Sequence, residues 1–170
     1  MTVLAMIVVL AAAGLIILAA IYDVLTMTIP NWLSIVLAVL FLIAAPLLGF
    51  DMRMLLTHLA TGLVVLTIGI GLFAMGWVGG GDVKLAAASA LWLGSGLMLE
   101  YLFVTAIAGG ILSLAILILR RLPLPALLSR QLWVRRLHDP TKGVPYGVAL
   151  AVGALVVLPA SPTWKQLVLS

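Results

Sequence analysis

Apolar runs about twenty residues long alternate along the chain with short breaks carrying charge, proline or glycine. Runs of that length fit α-helices crossing a ~30 Å hydrocarbon core, whereas membrane strands alternate over ~10-residue segments. Six spans are predicted, near residues 3–22, 32–49, 55–75, 83–97, 100–121 and 144–158. Ile29-Pro30-Asn31 separates the first two, and Asp51 with Arg53 marks the next turn. Before the fourth stands Gly79-Gly80-Gly81, and consecutive glycines make a poor helix interior, so the backbone is expected to break or turn there. The fourth and sixth spans are short and need local thinning of the bilayer or extension into their flanks. The expected architecture is all-α: a polytopic membrane protein of six transmembrane helices, one domain over residues 1–170, with a polar segment near 120–143.

Composition supports this pattern. The chain is 65% hydrophobic and 8% charged, against about 25% charged in soluble domains, and its mean hydropathy is +1.36. Cysteine is absent, which excludes disulfides, thiol catalysis and Cys-based metal sites. The net charge of +4 comes from basic residues flanking spans, so it reads as membrane topology rather than nucleic-acid binding. Lys84, Arg120, Arg121, Arg130, Arg135, Arg136 and Lys142 fall on one side, and only Arg53 and Lys165 on the other. The positive-inside rule puts the first side in the cytoplasm and both termini outside. The apolar N-terminus has no basic leader region and no small-residue cleavage pattern before Asp23, so a retained first helix is expected. In the polar segment, Leu127, Leu128, Leu132, Trp133 and Leu137 interleave with Arg130, Arg135 and Arg136 at helical spacing. That predicts a basic amphipathic helix lying on cytoplasmic membrane lipid. Gly147, Ala151 and Ala154, and Gly62, Gly69 and Gly76, recur at spacings that suit close helix contacts.

The topology brings Asp23 and Asp82 to the same membrane face, each beside a helix breaker. Acids inside membrane segments point to function. Two carboxylates that approach each other titrate as a pair, one ionised and one protonated. Such a pair can hydrolyse an amide with no metal or cofactor: one group takes a proton from water, the other polarises the carbonyl and then protonates the leaving amine. The helix dipole favours negative charge on Asp82, at a helix start, and disfavours it on Asp23, at a helix end, so Asp82 is the expected base. Two other classes use the same features: a small proton- or ion-coupled transporter with the acids as a relay, and a non-catalytic membrane scaffold of a secretion assembly. A transporter would more naturally hold its acids near midplane between symmetric halves. His58 stands alone and reads as a packed or interfacial residue, and His138 beside Asp139 lacks a second ligand at metal spacing. The glycine stretch lacks both the dinucleotide and the Gly-Lys-Ser/Thr nucleotide patterns.

Asp23 with Ile29-Pro30-Asn31, Gly79-Gly80-Gly81-Asp82 with Val83-Lys84-Leu85, and Pro145-Tyr146-Gly147 together resemble the type IV prepilin (leader) peptidases, which are GxGD aspartic membrane peptidases. The resemblance extends over nearly the whole chain. With only a few residues between the first two spans, the chain is most similar to the short CpaA/TadV group that serves Flp/Tad-type pili. The resemblance implies a six-helix enzyme of the bacterial inner membrane that cuts leaders from prepilins or pseudopilins at the cytoplasmic face, after a glycine and just before the pilin's hydrophobic helix. It implies Asp23 and Asp82 as the catalytic pair, with Gly79, Gly81, Asn31, Lys84 and Tyr146 in support, and no cofactor. The long members carry an early loop with paired Cys-x-x-Cys motifs linked to N-methylation. This chain has none, so cleavage without methyl transfer is expected. Tyr22-Asp23 echoes presenilin-like enzymes, but their Pro-Ala-Leu element is missing near the final helix.

Overall fold

A computed structural model describes residues 2–125 and 128–169, and the regular structure among those residues is all helical, with no strand. The first helix, α1 (Thr2–Thr26), is apolar on all sides and runs through Asp23 instead of stopping before it. An acid in a last turn does not break a helix when apolar residues, here Val24 and Leu25, continue it. The break comes at Met27, whose φ of 56° makes it the one non-glycine left-handed residue among those described. Pro30, extended and lacking an N–H, then starts α2 (Asn31–Leu47).

Both of the next two helix ends are closed in the same way. Helix α2 and the following α3 (Met52–Ala74) finish in Schellman motifs, with Gly49 and Gly76 at φ of 72° and 74°. The N–H of Phe50 bonds the Ala45 carbonyl at 3.0 Å, and that of Trp77 the Leu72 carbonyl at 3.0 Å. Asp51 caps α3 by accepting from the Met54 N–H at 2.7 Å. Gly76 therefore serves a turn, while Gly62 and Gly69 serve packing. A Cβ at Gly62 would strike Leu91, and one at Gly69 would strike Val83, both on α4 (Gly80–Leu93).

At 14 residues, α4 is short, yet most of its residues are buried, with α3, α2 and α7 (Gly147–Val157) against it. The break foreseen at the glycines falls before them: Gly79 is the N-cap, and Gly80 and Gly81 are already helical. Gly94, at φ 74°, ends α4, and a 3₁₀ turn, Ser95–Leu97, leads into α5 (Met98–Arg121). The end of the bundle away from the acids is tied by polar groups. Trp92 Nε1 donates to the Leu37 carbonyl at 3.0 Å, and Thr163 Oγ1 to the Trp92 carbonyl at 2.9 Å. His58 lies buried there, bonded through Nδ1 to the Leu91 carbonyl at 2.7 Å and stacked on Phe41. It is the packed residue the sequence implied.

The long amphipathic helix does not form. Leu127 lies outside the described residues. Beyond it come a 3₁₀ turn, Leu128–Arg130, and the seven-residue α6 (Leu132–His138). Basic side chains in this region are spent on backbone carbonyls: Arg120 donates to those of Leu137, Lys142 and Gly143, and Arg136 to that of Leu25 at the end of α1. Val134 is buried, so this segment folds onto the bundle end, with Leu132 left outward. The last helix, α8 (Pro162–Leu169), follows α7 and the 3₁₀ turn Leu158–Ala160 after a 45° bend.

Six helices, α1–α5 and α7, occupy the positions of the predicted spans. Among the described residues, three stretches are long and apolar enough to cross a membrane: Val3–Thr26, Met52–Ala74 and Ser95–Arg121. The bent pair Gly147–Ala160 with Pro162–Val168 makes a fourth if it counts as one span. Helices α2, at 17 residues, and α4, at 14, are shorter than the ~20 that cross a bilayer unaided. The exposed faces of α1, α3 and α5 are lined with leucine, isoleucine and phenylalanine, a surface suited to lipid.

Candidate active site

One end of the bundle gathers the C-terminal turn of α1 and the N-terminal turns of α2, α4 and α7. Asp23, in the α1 turn, is 5% exposed. Its Oδ2 accepts the backbone N–H of Gly147, the first residue of α7, at 2.7 Å. That bond joins residues 124 positions apart and leaves no room for a side chain at 147. A Cβ there would lie 2.8 Å from Asp23 Oδ2 and 2.7 Å from Ile29 Cδ1.

Asp82 is half-buried at the third position of α4. Its carboxylate turns back toward the N-cap residue Gly79. A Cβ on Gly79 would come 2.8 Å from Asp82 Oδ2. Gly81 lets α4 approach the α1–α2 linker: its Cβ would meet Ile29 Cβ at 3.1 Å. Asp23 and Asp82 lie within electrostatic reach of each other.

Ile29, 8% exposed, is thus wedged between Gly81 and Gly147 and holds α4 and α7 against the linker. Sequence reasoning used it as part of a helix break and of the Ile29-Pro30-Asn31 motif, not as a packing residue. The available signal was an apolar residue directly before Pro30, which the following ring biases toward an extended backbone.

The supporting residues divide. Lys84 and Asn31 pair, with Nζ donating to Oδ1 at 2.7 Å across α4 and α2. They stand at one end of an apolar cavity of about 460 Å³ that also includes Ser34, Leu66, Ala87 and Leu91. Tyr146 is the N-cap residue of α7, and its ring packs over Gly109 of α5, where no Cβ would fit. It fixes where α7 starts, and so where the Gly147 N–H points. Among the described residues no three His, Asp or Glu side chains group as a metal site.

Several apolar helices long enough to cross a bilayer define a multi-pass membrane protein, and an acid pair lies at one end of its bundle. A family model for the type IV leader peptidase family matches residues 9–114, more than half of the chain, and the protein belongs to that family. Its activity is accordingly that of a leader peptidase, with prepilins as substrates, which sets aside the transporter and scaffold readings. The match includes Asp23 and Asp82 and stops before Tyr146. No curated protein sequence and no solved structure matches the chain.

Proposed function

We propose that the protein is an aspartic endopeptidase of GxGD type that removes the leader of Flp/Tad-type prepilins at the cytoplasmic face of the bacterial inner membrane. Asp23 and Asp82 are its catalytic pair. The observation that carries this reading is the presence of the two acids at one bundle end within electrostatic reach of each other, Asp23 held by the Gly147 N–H and Asp82 in the first turn of α4. The basic residues favour the cytoplasm for that end: Arg120 and Arg136 are bonded there, and Lys84 is two residues from Asp82.

In this mechanism Asp82, favoured as the carboxylate by its place in the first turn of α4, takes a proton from water. The hydroxide adds to the scissile carbonyl carbon. Asp23, protonated in the last turn of α1, donates a hydrogen bond to the carbonyl oxygen. The C–N bond then breaks, and its nitrogen takes a proton from the pair. The leader leaves with a new carboxyl terminus and the pilin with a new amino terminus. A bond cut just before a hydrophobic helix sits at the membrane surface, which is the level of the pair. Water and two carboxyl groups suffice, so no cofactor enters, and no N-methyl transfer follows. The whole chain acts as one membrane-embedded domain.

The test is co-expression with a Flp-type prepilin in a host without its own leader peptidase, read by intact mass. Loss of the leader mass, with an unmethylated new N-terminus even when the purified protein is given S-adenosylmethionine, is the expected result. An uncut Flp-type prepilin alongside a cut prepilin of another class would overturn the substrate assignment.

A further inference from the structure

Helices α2 and α3 are consecutive in sequence, yet each packs along α4 rather than along the other. They meet near their joined ends, where the Phe41 ring stacks on that of His58. Toward the acid end a cavity of about 460 Å³ separates them, with α4 as its floor. On α4 the lining steps from Lys84 through Ala87 to Leu91, and on α2 from Asn31 through Ile35 to Ala38, which is one face of each helix. Ala87 is buried, whereas Ile35 and Leu63, on the α2 and α3 walls, are 61% and 64% exposed. The cavity is thus a cleft that opens sideways, toward the bilayer.

The accessible polar side chains of this cleft lie at one end. They are the exposed Lys84 ammonium and the Asn31 amide that accepts from it, since the Ser34 hydroxyl is buried. The amide is neutral, and no carboxylate among the described residues pairs with Lys84. Arg120 and Arg136, at the same bundle end, are instead engaged by backbone carbonyls.

Water does not fill an apolar cavity, and an empty one forfeits the contacts of its walls, so the cleft suits hydrocarbon. The uncompensated ammonium at its end suits an anion. A second copy of the chain would bring hydrocarbon without the anion. Of its five acids, Asp23 and Asp82 belong to the site, Asp51 and Glu100 stand at the far end of the bundle, and Asp139 is engaged by Thr141. A charged membrane lipid brings both. Seven residues of α4, from Lys84 to Leu91, rise about 10 Å, which is about two-thirds of the depth of one leaflet of a ~30 Å core. That is the reach of the upper part of an acyl chain whose headgroup lies level with Lys84.

We propose that the cleft between α2 and α3 holds an anionic glycerophospholipid, with its phosphate on Lys84 and one acyl chain lying on α4. The site depends on the chain's place in a membrane and not on the peptidase mechanism. In a zwitterionic lipid the headgroup cation offsets the phosphate, so the cleft selects the anionic class.

The test uses the full chain in phosphatidylcholine nanodiscs doped with a trace of phosphatidylglycerol, or of phosphatidylcholine, carrying a mid-chain diazirine. After photolysis, adducts are mapped by mass spectrometry. The phosphatidylglycerol probe should label Ile35, Ala38 and Leu63 several-fold more than Ile111 and Leu114, which are exposed on α5, and the phosphatidylcholine probe should not discriminate. Lys84→Gln should cut cleft labelling by the anionic probe about fivefold, the share of one lysine beside anionic headgroups, and Lys84→Arg should keep it. Unchanged labelling of α5 in both variants confirms insertion. Equal cleft labelling by the two probes, or an excess that survives Lys84→Gln, would overturn the headgroup assignment. A cleft protected from both probes would show that a second copy covers it, and would overturn the lipid.

Discussion

Replacing Gly147 by alanine perturbs the site through a single methyl group. The new Cβ would stand 2.8 Å from Asp23 Oδ2 and 2.7 Å from Ile29 Cδ1, where ordinary contact begins at 3.4 Å. Each contact is therefore short by about 0.6 Å, and both neighbours are themselves buried. Relief requires α7 to back away or Asp23 to turn, and either lengthens the 2.7 Å bond from the Gly147 N–H. Overpacking of this kind costs about 1–3 kcal/mol of stability. The larger effect is on rate: a 1 Å misplacement of a reacting group costs about 10²-fold, so a shift of about 0.6 Å should cost about tenfold or more. The assay is the initial rate of leader removal from detergent-solubilised prepilin, at matched amounts of folded enzyme. Gly14→Ala is the control. No atom lies within 4 Å of its Cβ position, and alanine in a helix interior gains up to about 1 kcal/mol. A wild-type rate for Gly147→Ala would refute the claim that this glycine positions Asp23.

Three other outcomes follow from contacts elsewhere. Asn31→Ala removes the acceptor of Lys84 and should lower stability by about 0.5–1 kcal/mol, since the pair is exposed, as measured by thermal unfolding in detergent. His58→Ala should cost about 2–4 kcal/mol by losing the Leu91 bond and the stack on Phe41, yet leave kcat intact because His58 lies at the opposite bundle end. At Asp139, the Thr141 hydroxyl and N–H, with Lys142 and Arg120 nearby, hold the carboxyl below the usual carboxylate range. A depressed carboxylate stabilises the fold above its unfolded pKa, and that contribution fades as pH falls through the folded value. Thr141→Val should therefore raise the Asp139 titration, seen by NMR, and reduce stability at neutral pH but not in strong acid.

Helix positions were readable because lipid-facing helices must be apolar over a fixed length, and that constraint is written continuously along the chain. Their ends were less so. The first helix continues past Asp23 to Thr26 because an acid is not a breaker, whereas Met27 and Pro30 act as one. The polar segment has the spacing of an amphipathic helix, but Arg136 is bonded to the open Leu25 carbonyl at the end of α1, and Arg120 at the end of α5 takes the Leu137, Lys142 and Gly143 carbonyls of the segment. Asp23 and Asp82 were recognisable as a pair from topology and motif alone. What holds them was not. Gly147 carried the signature of a packing residue and a place in the Pro145-Tyr146-Gly147 motif, but its role as the N–H donor to Asp23 depends on a contact across 124 positions. Ile29 as a wedge is a juxtaposition of separate helices, with no local pattern to announce it.

The most direct measurement is cleavage of a co-expressed Flp-type prepilin by wild type, Asp23→Asn and Asp82→Asn, each confirmed to be inserted at equal levels. Asparagine keeps the shape and, at position 23, can still accept the Gly147 N–H, but it can neither take a proton from water nor deliver one. The account predicts a leader-sized mass loss with wild type and none with either variant. Cleavage surviving in either would contradict the catalytic pair.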